Sequence, residues 1–260
     1  ALVYGNAHPD PWGRDYERYL DEFAAMVAPD VLMTDVYPLP VPQGLAYNYF
    51  GILSNVRKVA LAHKIPYWMI IQSFQTSGRF DRRLPSDSDL RLQVFVPLTL
   101  GYTGIIYFTY DVAYERGLIE KTGKPNRLHG IASGVNREAT NLGRAMRFLT
   151  SKKFGAVLGR SEQAGKVIVN KVPRSLRKMG LAGTSLQEIT VQGSHNGLLG
   201  TFTDDHGGEY FMLTNLAHKG GTAAEKLFEH FTIRLRPNVR SIHRLNRKTG
   251  QVERVKLSGR

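Results

Sequence analysis

Four short apolar runs in the first part of the chain each lead into polar or aromatic residues that could do chemistry. Asn6 and His8 follow the run Ala1 to Gly5, and Asp35 and Tyr37 close the run Val31 to Tyr37. Gln72, Ser73, Phe74 and Gln75 end the run from Tyr67, while Tyr110, Asp111 and Glu115 end the run from Gly104. Carboxyl and imidazole groups move protons. Aromatic rings stack on the apolar faces of pyranoses while Asp, Asn, Gln and His hydrogen-bond the hydroxyls, so the set suits a saccharide. Tyr37, Trp68, Phe74, Phe108 and Tyr110 are the stacking candidates, about half of which must point into a core because side chains alternate along a strand.

The runs begin about 30 to 37 residues apart, the length of a βα unit in a parallel sheet. Helical periodicity fills the gaps. Asp15 to Val27 puts Tyr16, Tyr19, Leu20, Phe23 and Val27 on one face and stops before Pro29. Tyr47 to His63 carries Phe50, Leu53, Val56, Val59 and Ala60 at the same spacing. Ser86 with Asp89 three residues on predicts the start of a third helix, and Ile131 to Leu149 reads as a fourth. The order is β-α-β-α-β-α-β-α over residues 1–150. Beyond Ser151 short runs separated by Gly, Asn and Asp turns predict antiparallel β structure, expected to be a sandwich domain over residues 151–260. Buried parallel strands need neighbours on both sides. The first 150 residues are therefore expected to be half of a (β/α)8 barrel rather than a complete doubly wound sheet.

The runs Ala1 to Asn6, Pro29 to Pro38, Ile65 to Ser73 and Gly101 to Tyr110, in that order, resemble successive strands of bacterial glycoside hydrolase barrels of the family 42 β-galactosidase type and their uncharacterised relatives. The resemblance implies barrel strands five to eight, a β-sandwich behind them, and a β-linked saccharide hydrolysed at the C-terminal face. It also exposes a departure. Such retaining enzymes carry a Glu nucleophile at the end of strand seven, where this chain has Ile70-Ile71-Gln72-Ser73. A two-carboxylate mechanism would then use Asp35 as acid/base or nucleophile, with a partner from the missing N-terminal barrel half or Asp111. The alternative is a non-catalytic carbohydrate-binding barrel.

Each residue has a plainer reading beside the functional one. Asp35 is open between a functional carboxylate and an acceptor for backbone N–H groups. Asp111 and Glu115 read as solvated loop residues before ligands, and His8 as a turn residue before a pocket wall. Gln72 is expected to face a ligand, since polar residues at strand C-termini in barrels do so. Asn6, Tyr37, Phe74 and Tyr110 complete the expected binding set.

At 260 residues and 42 % hydrophobic the chain can bury substantial apolar cores. It has no cysteine, which excludes disulfides and thiolate chemistry. No apolar stretch approaches the roughly 20 residues of a membrane span. No phosphate loop, Gly-x-Ser-x-Gly elbow or His-Glu-x-x-His is present, and no cofactor or metal is implied. The start lacks both Met and the features of a signal peptide, so the natural N-terminus is read as lost or processed. The compartment stays open, with a secreted or periplasmic place compatible with the composition. The net charge of +13 is uneven: residues 1–150 carry 16 Lys and Arg against 14 Asp and Glu, and residues 151–260 carry 19 against 8. That basic half is read as a solvated surface or as a contact for a polyanion.

Overall fold

The computed structural model describes the chain except for residues 1, 10–14, 42–44, 47, 79–80, 112–113, 164–165 and 259–260. Four strands, β1 (Tyr4–Asn6), β2 (Val31–Asp35), β3 (Tyr67–Gln72) and β4 (Gly104–Phe108), form one parallel sheet in sequence order. Between and after them run α1 (Tyr16–Val27), α2 (Tyr49–His63), α3 (Asp87–Leu100) and α4 (Arg127–Met146). The expected strand start at Ala1 and helix start at Tyr47 lie outside the described residues.

Local chemistry sets the helix ends. The Asp15 carboxylate accepts from the Glu17 and Arg18 amides to open α1, and Ala28 closes it in the left-handed region. Ser86 and Asp89 form a reciprocal capping box on α3, whose end at Gly101 has φ of 96°. α4 begins four residues before the expected Ile131. Asn126 accepts from the Leu128 and His129 amides, a cap that apolar periodicity does not register.

Alternation decides which strand face meets the helices. Tyr67, Met69 and Ile71 enter a core with Leu32, Leu53, Leu90 and Val135. The opposite face, with Tyr4, Trp68, Ile70, Ile106 and Phe108, is only partly covered. There Trp68 lies against Gly104, where a Cβ would come within 2.5 Å of the indole. β1 pairs only with β2 and β4 only with β3 among the described residues, so each ends the sheet with an open edge.

After α4 come β5 (Thr150–Val157), β6 (Arg160–Gln163), β7 (Lys166–Val169), β8 (Leu186–Gln192), β9 (Gly197–Thr203), β10 (Glu209–Asn215), β11 (His230–Leu235), β12 (His243–Leu245) and β13 (Val252–Arg254). They pair antiparallel as a three-stranded sheet, β10-β9-β5, and as the ribbons β11-β8, β12-β13 and β6-β7. In β5 a register shift between Ser151 and Lys153 breaks the two-residue period and hides the strand. An apolar cluster of Val157, Leu186, Val191 and Leu199 joins β5 and β9 to β8.

α3 lies between the parallel sheet and β9-β10, which is why it is buried nearly all round. Each polar residue on it has a partner: Asp89 with Arg83, Arg91 with Asp87 and Glu138, Gln93 with the Gln72 backbone, and Thr99 with Thr214. A Cβ at Gly200 of β9 would overlap the Thr99 carbonyl oxygen. Gly200→Ala is therefore expected to cost about 3 kcal/mol by overpacking, read as a lowered urea midpoint; an unchanged midpoint would mean that β9 and α3 are not held at this approach.

Candidate functional site

The C-terminal ends of β1, β2 and β3 bring together part of the expected set. Asp35, the last residue of β2, is 6 % exposed. Its Oδ1 accepts from the Asn6 amide at 3.0 Å and lies 2.9 Å from His8 Nδ1. The Tyr37 phenol lies near enough to feel the Asp35 charge. Burial first, then the charge of Asp35, push the Tyr37 phenol well above its ordinary range. Two side chains from the neighbouring strand end, Asn6 and His8, thus converge on one carboxylate.

The turn that carries His8 is held from beneath. Ala7 donates its amide to the Met33 carbonyl at 2.8 Å, and the Ala7 carbonyl accepts from the Tyr16 hydroxyl of α1 at 2.7 Å and from Thr34 at 3.2 Å. Burial raises the Tyr16 phenol, so it remains a donor. His8 itself is mostly exposed, with a side-chain accessibility of 64 %. Among the described residues its Nε2 has no hydrogen bond beside the Nδ1 contact with Asp35. A carboxylate that fixes one imidazole nitrogen and leaves the other free makes a proton-transfer pair.

Beside this pair Tyr37 stacks on Phe108 at 5.6 Å between centroids and meets Phe74 edge-on at 5.0 Å. Phe74 stacks in turn on Tyr114 at 4.7 Å. Phe74 is 3 % exposed, so it floors the cluster and presents no free face to a sugar. Tyr114, 43 % exposed and not singled out from sequence, carries the accessible ring. Arg82 also reaches the site, donating from Nε to the Tyr37 carbonyl at 2.9 Å.

Other expected residues are placed differently. Gln72, expected to face a ligand, is fully buried. Its Oε1 accepts from the Leu39 amide at 3.3 Å and its Nε2 donates to the Phe74 and Arg83 carbonyls at 3.1 and 2.8 Å. The α3 residue Gln93 clamps the Gln72 backbone at 2.9 and 3.1 Å. Two glutamines therefore knit the loops after β2 and β3, a task that needs the amide's paired donor and acceptor. The polar Gln93 amid Leu92, Val94 and Phe95 was the available signal.

Tyr110 turns to His129 of α4, 6.2 Å between centroids, rather than to the aromatic cluster. Asp111 is exposed in the loop after β4, where its carbonyl accepts from the Thr109 hydroxyl at 2.7 Å. The peptide joining Phe108 to Thr109 is cis. Glu115 is spent on the neighbouring loop, accepting from the Ser77 amide at 3.0 Å and from the Ser77 hydroxyl. Among the described residues no group of three or more His, Asp or Glu side chains is arranged to hold a metal ion. No helix among them is long and apolar enough to cross a membrane.

The chain is a mixed α/β protein, with a four-stranded parallel sheet whose strand ends hold an Asp–His pair beside aromatic rings. No protein-family model and no curated protein matches it. Among solved structures it is similar to the endo-beta-1,4-mannanase from Thermotoga petrophila, at 10 % identity and a TM-score of 0.33. The alignment covers 75 % of this chain and 49 % of that one, so the chain spans about half the length of the mannanase.

Proposed function

We propose that residues 1–150 are strands five to eight of a (β/α)8 barrel, that residues 151–260 are a β-sandwich domain, and that the whole acts as a glycoside hydrolase on a β-linked saccharide. The observation that carries this reading is the convergence of Asn6 and His8 on Asp35 at the C-terminal strand ends, next to the aromatic cluster and the exposed ring of Tyr114. In a parallel barrel that end is where reacting groups gather.

Hydrolysis of a glycosidic bond needs a proton for the leaving oxygen and a base or nucleophile on the far side of the anomeric carbon. Asp35 supplies one of these functions, and where it acts as acid or base His8, 2.9 Å away, is the group through which it exchanges the proton. The second carboxylate comes from the unseen half or from Asp111. The bound saccharide lies across Tyr114 and Tyr37, with Asn6 and His8 at its hydroxyls.

A second reading, a carbohydrate-binding barrel without catalysis, is favoured by one specific observation. Gln72 stands where related enzymes need a nucleophile, and its amide is wholly committed to backbone partners. Release of reducing ends from β-linked mannans, galactans and glucans by the full-length protein separates the readings. Turnover of a β-linked substrate supports the enzyme; saturable binding without product supports the binder; neither result would overturn both.

The half-barrel has its own consequence. β1 and β4 leave bare edges, and Leu2, Val3 and Tyr4 are 55, 50 and 61 % exposed. Unpaired edges and apolar faces associate. The 260-residue chain is expected to self-associate at micromolar concentration in sedimentation velocity; a monodisperse monomer would contradict the half-barrel.

A further inference from the structure

We propose a second binding site, distinct from the strand ends, in the concavity walled by residues 240–241 and 254–257, which takes the carboxylate of an acidic polysaccharide. The cavity has a volume of about 330 Å³ and is lined by Arg240, Arg254 and Lys256 together with Ser241, Val255 and Leu257. That is the low end of small-ligand sites, enough for about one sugar unit. Its walls are tied together by the β12-β13 pairing and by the Val255 amide on the Ile242 carbonyl at 2.9 Å.

The charge balance of the cavity points to an anion. No side chain of Arg240, Arg254 or Lys256 has an ion-pair partner among the described residues, and no carboxylate lines the cavity. The neighbouring acid, Glu253, is taken by Arg244 at 2.6 Å and Asn246 at 2.7 Å. A cleft of the same volume beside α1 and α2 is built the other way. There Glu17 pairs with Lys58 at 2.5 Å, and Asp21, within the same cleft, with His63 at 2.7 Å. Three like charges round a concavity repel one another until an anion enters, and two guanidinium forks suit a carboxylate.

A carboxylate-bearing saccharide is favoured over nucleic acid because the lining holds no aromatic ring on which a base could stack. The choice of a saccharide rests on the carbohydrate reading above; the anion site does not. The test titrates polygalacturonate, neutral galactan and oligo-dT into the full-length protein by calorimetry. A triple variant, Arg240→Gln, Arg254→Gln and Lys256→Gln, is compared with a control of equal charge loss, Lys152→Gln, Lys171→Gln and Lys226→Gln. The site variant is expected to bind polygalacturonate at least ~10-fold more weakly and the control to change it by less than ~2-fold, while any galactan binding, which belongs to the strand ends, is the same in both variants and wild type. Equal loss in both sets, no loss in the site variant, or tighter binding of oligo-dT through the same three residues would each overturn the proposal. Asp35→Asn is expected to leave this binding unchanged, so failure at the strand ends and failure here are separate results.

Discussion

Asp35→Asn in the full-length protein is expected to lower turnover of the β-linked substrate by ~10³-fold or more while leaving the unfolding midpoint near wild type. Asn keeps the shape and can still accept from Asn6, so the local packing survives. What it loses is the charge that orients the His8 imidazole through the 2.9 Å contact and any capacity to exchange a proton itself. His8→Ala tests the pair from its exposed side, where no packing is at risk. It is expected to lower turnover by ~10²-fold. If the protein binds without cleaving, both variants are expected to weaken saccharide affinity instead. Wild-type turnover and affinity in Asp35→Asn would reduce Asp35 to a loop acceptor.

The largest effect on stability is expected from Arg83→Met, about 3 to 5 kcal/mol. Asp89 on α3 is fully buried. It accepts from Arg83 Nη2 at 2.7 Å and from Nη1, and from the Ser86 amide and hydroxyl at 2.9 and 2.6 Å. Burial alone pushes the Asp89 carboxyl up, but the Arg83 and Ser86 hydrogen bonds outweigh it and hold the group below the usual carboxylate range. A depressed folded value means that the stabilisation is complete above the ordinary carboxylate pKa and is lost as the pH falls through it toward the folded one. Removing Arg83 strands a buried charge, so the deficit in Arg83→Met is expected to be greatest at neutral pH and to shrink in acid as Asp89 protonates. Urea unfolding at neutral and acidic pH measures this directly. Adding Asp89→Leu to Arg83→Met is expected to recover part of the loss, because it removes the stranded charge. A deficit that stays constant with pH would show that Arg83 acts by packing alone.

The parallel half was legible because its signals are local. Pro29 and Pro66 punctuate the βα units, and the Ser86 and Asp89 spacing announces a capping box that forms as read. β5 was not legible, since a bulge at Ser151 and Lys153 scrambles alternation among charged residues. The candidate site divides along the same line. Asp35 and Tyr37 stand two residues apart and could be singled out from one strand end. Their tie to His8 spans 27 residues and depends on the Tyr16 and Thr34 clamp on Ala7, which no spacing reveals. Gln72 was read as a ligand because polar residues at strand ends usually are. Its true partners, the Leu39 amide and the Phe74 and Arg83 carbonyls, belong to loops whose paths follow only from the folded backbone. Tyr114 sits in a loop without periodicity, and its stacking on Phe74 is likewise a product of tertiary structure.

The central claim is that a β-linked saccharide occupies the strand ends at Asp35. Proton–carbon NMR of the full-length protein with ¹³C-labelled histidine, titrated with β-linked oligosaccharides, tests it most directly. His8 is exposed at the site, whereas His195 and His243 lie in the antiparallel half and serve as internal controls. The His8 resonance is expected to shift saturably while those of His195 and His243 stay fixed, and the shift is expected to vanish in Asp35→Asn. A His8 resonance that does not move at saccharide concentrations where binding or turnover is measured would place the saccharide elsewhere and contradict the account.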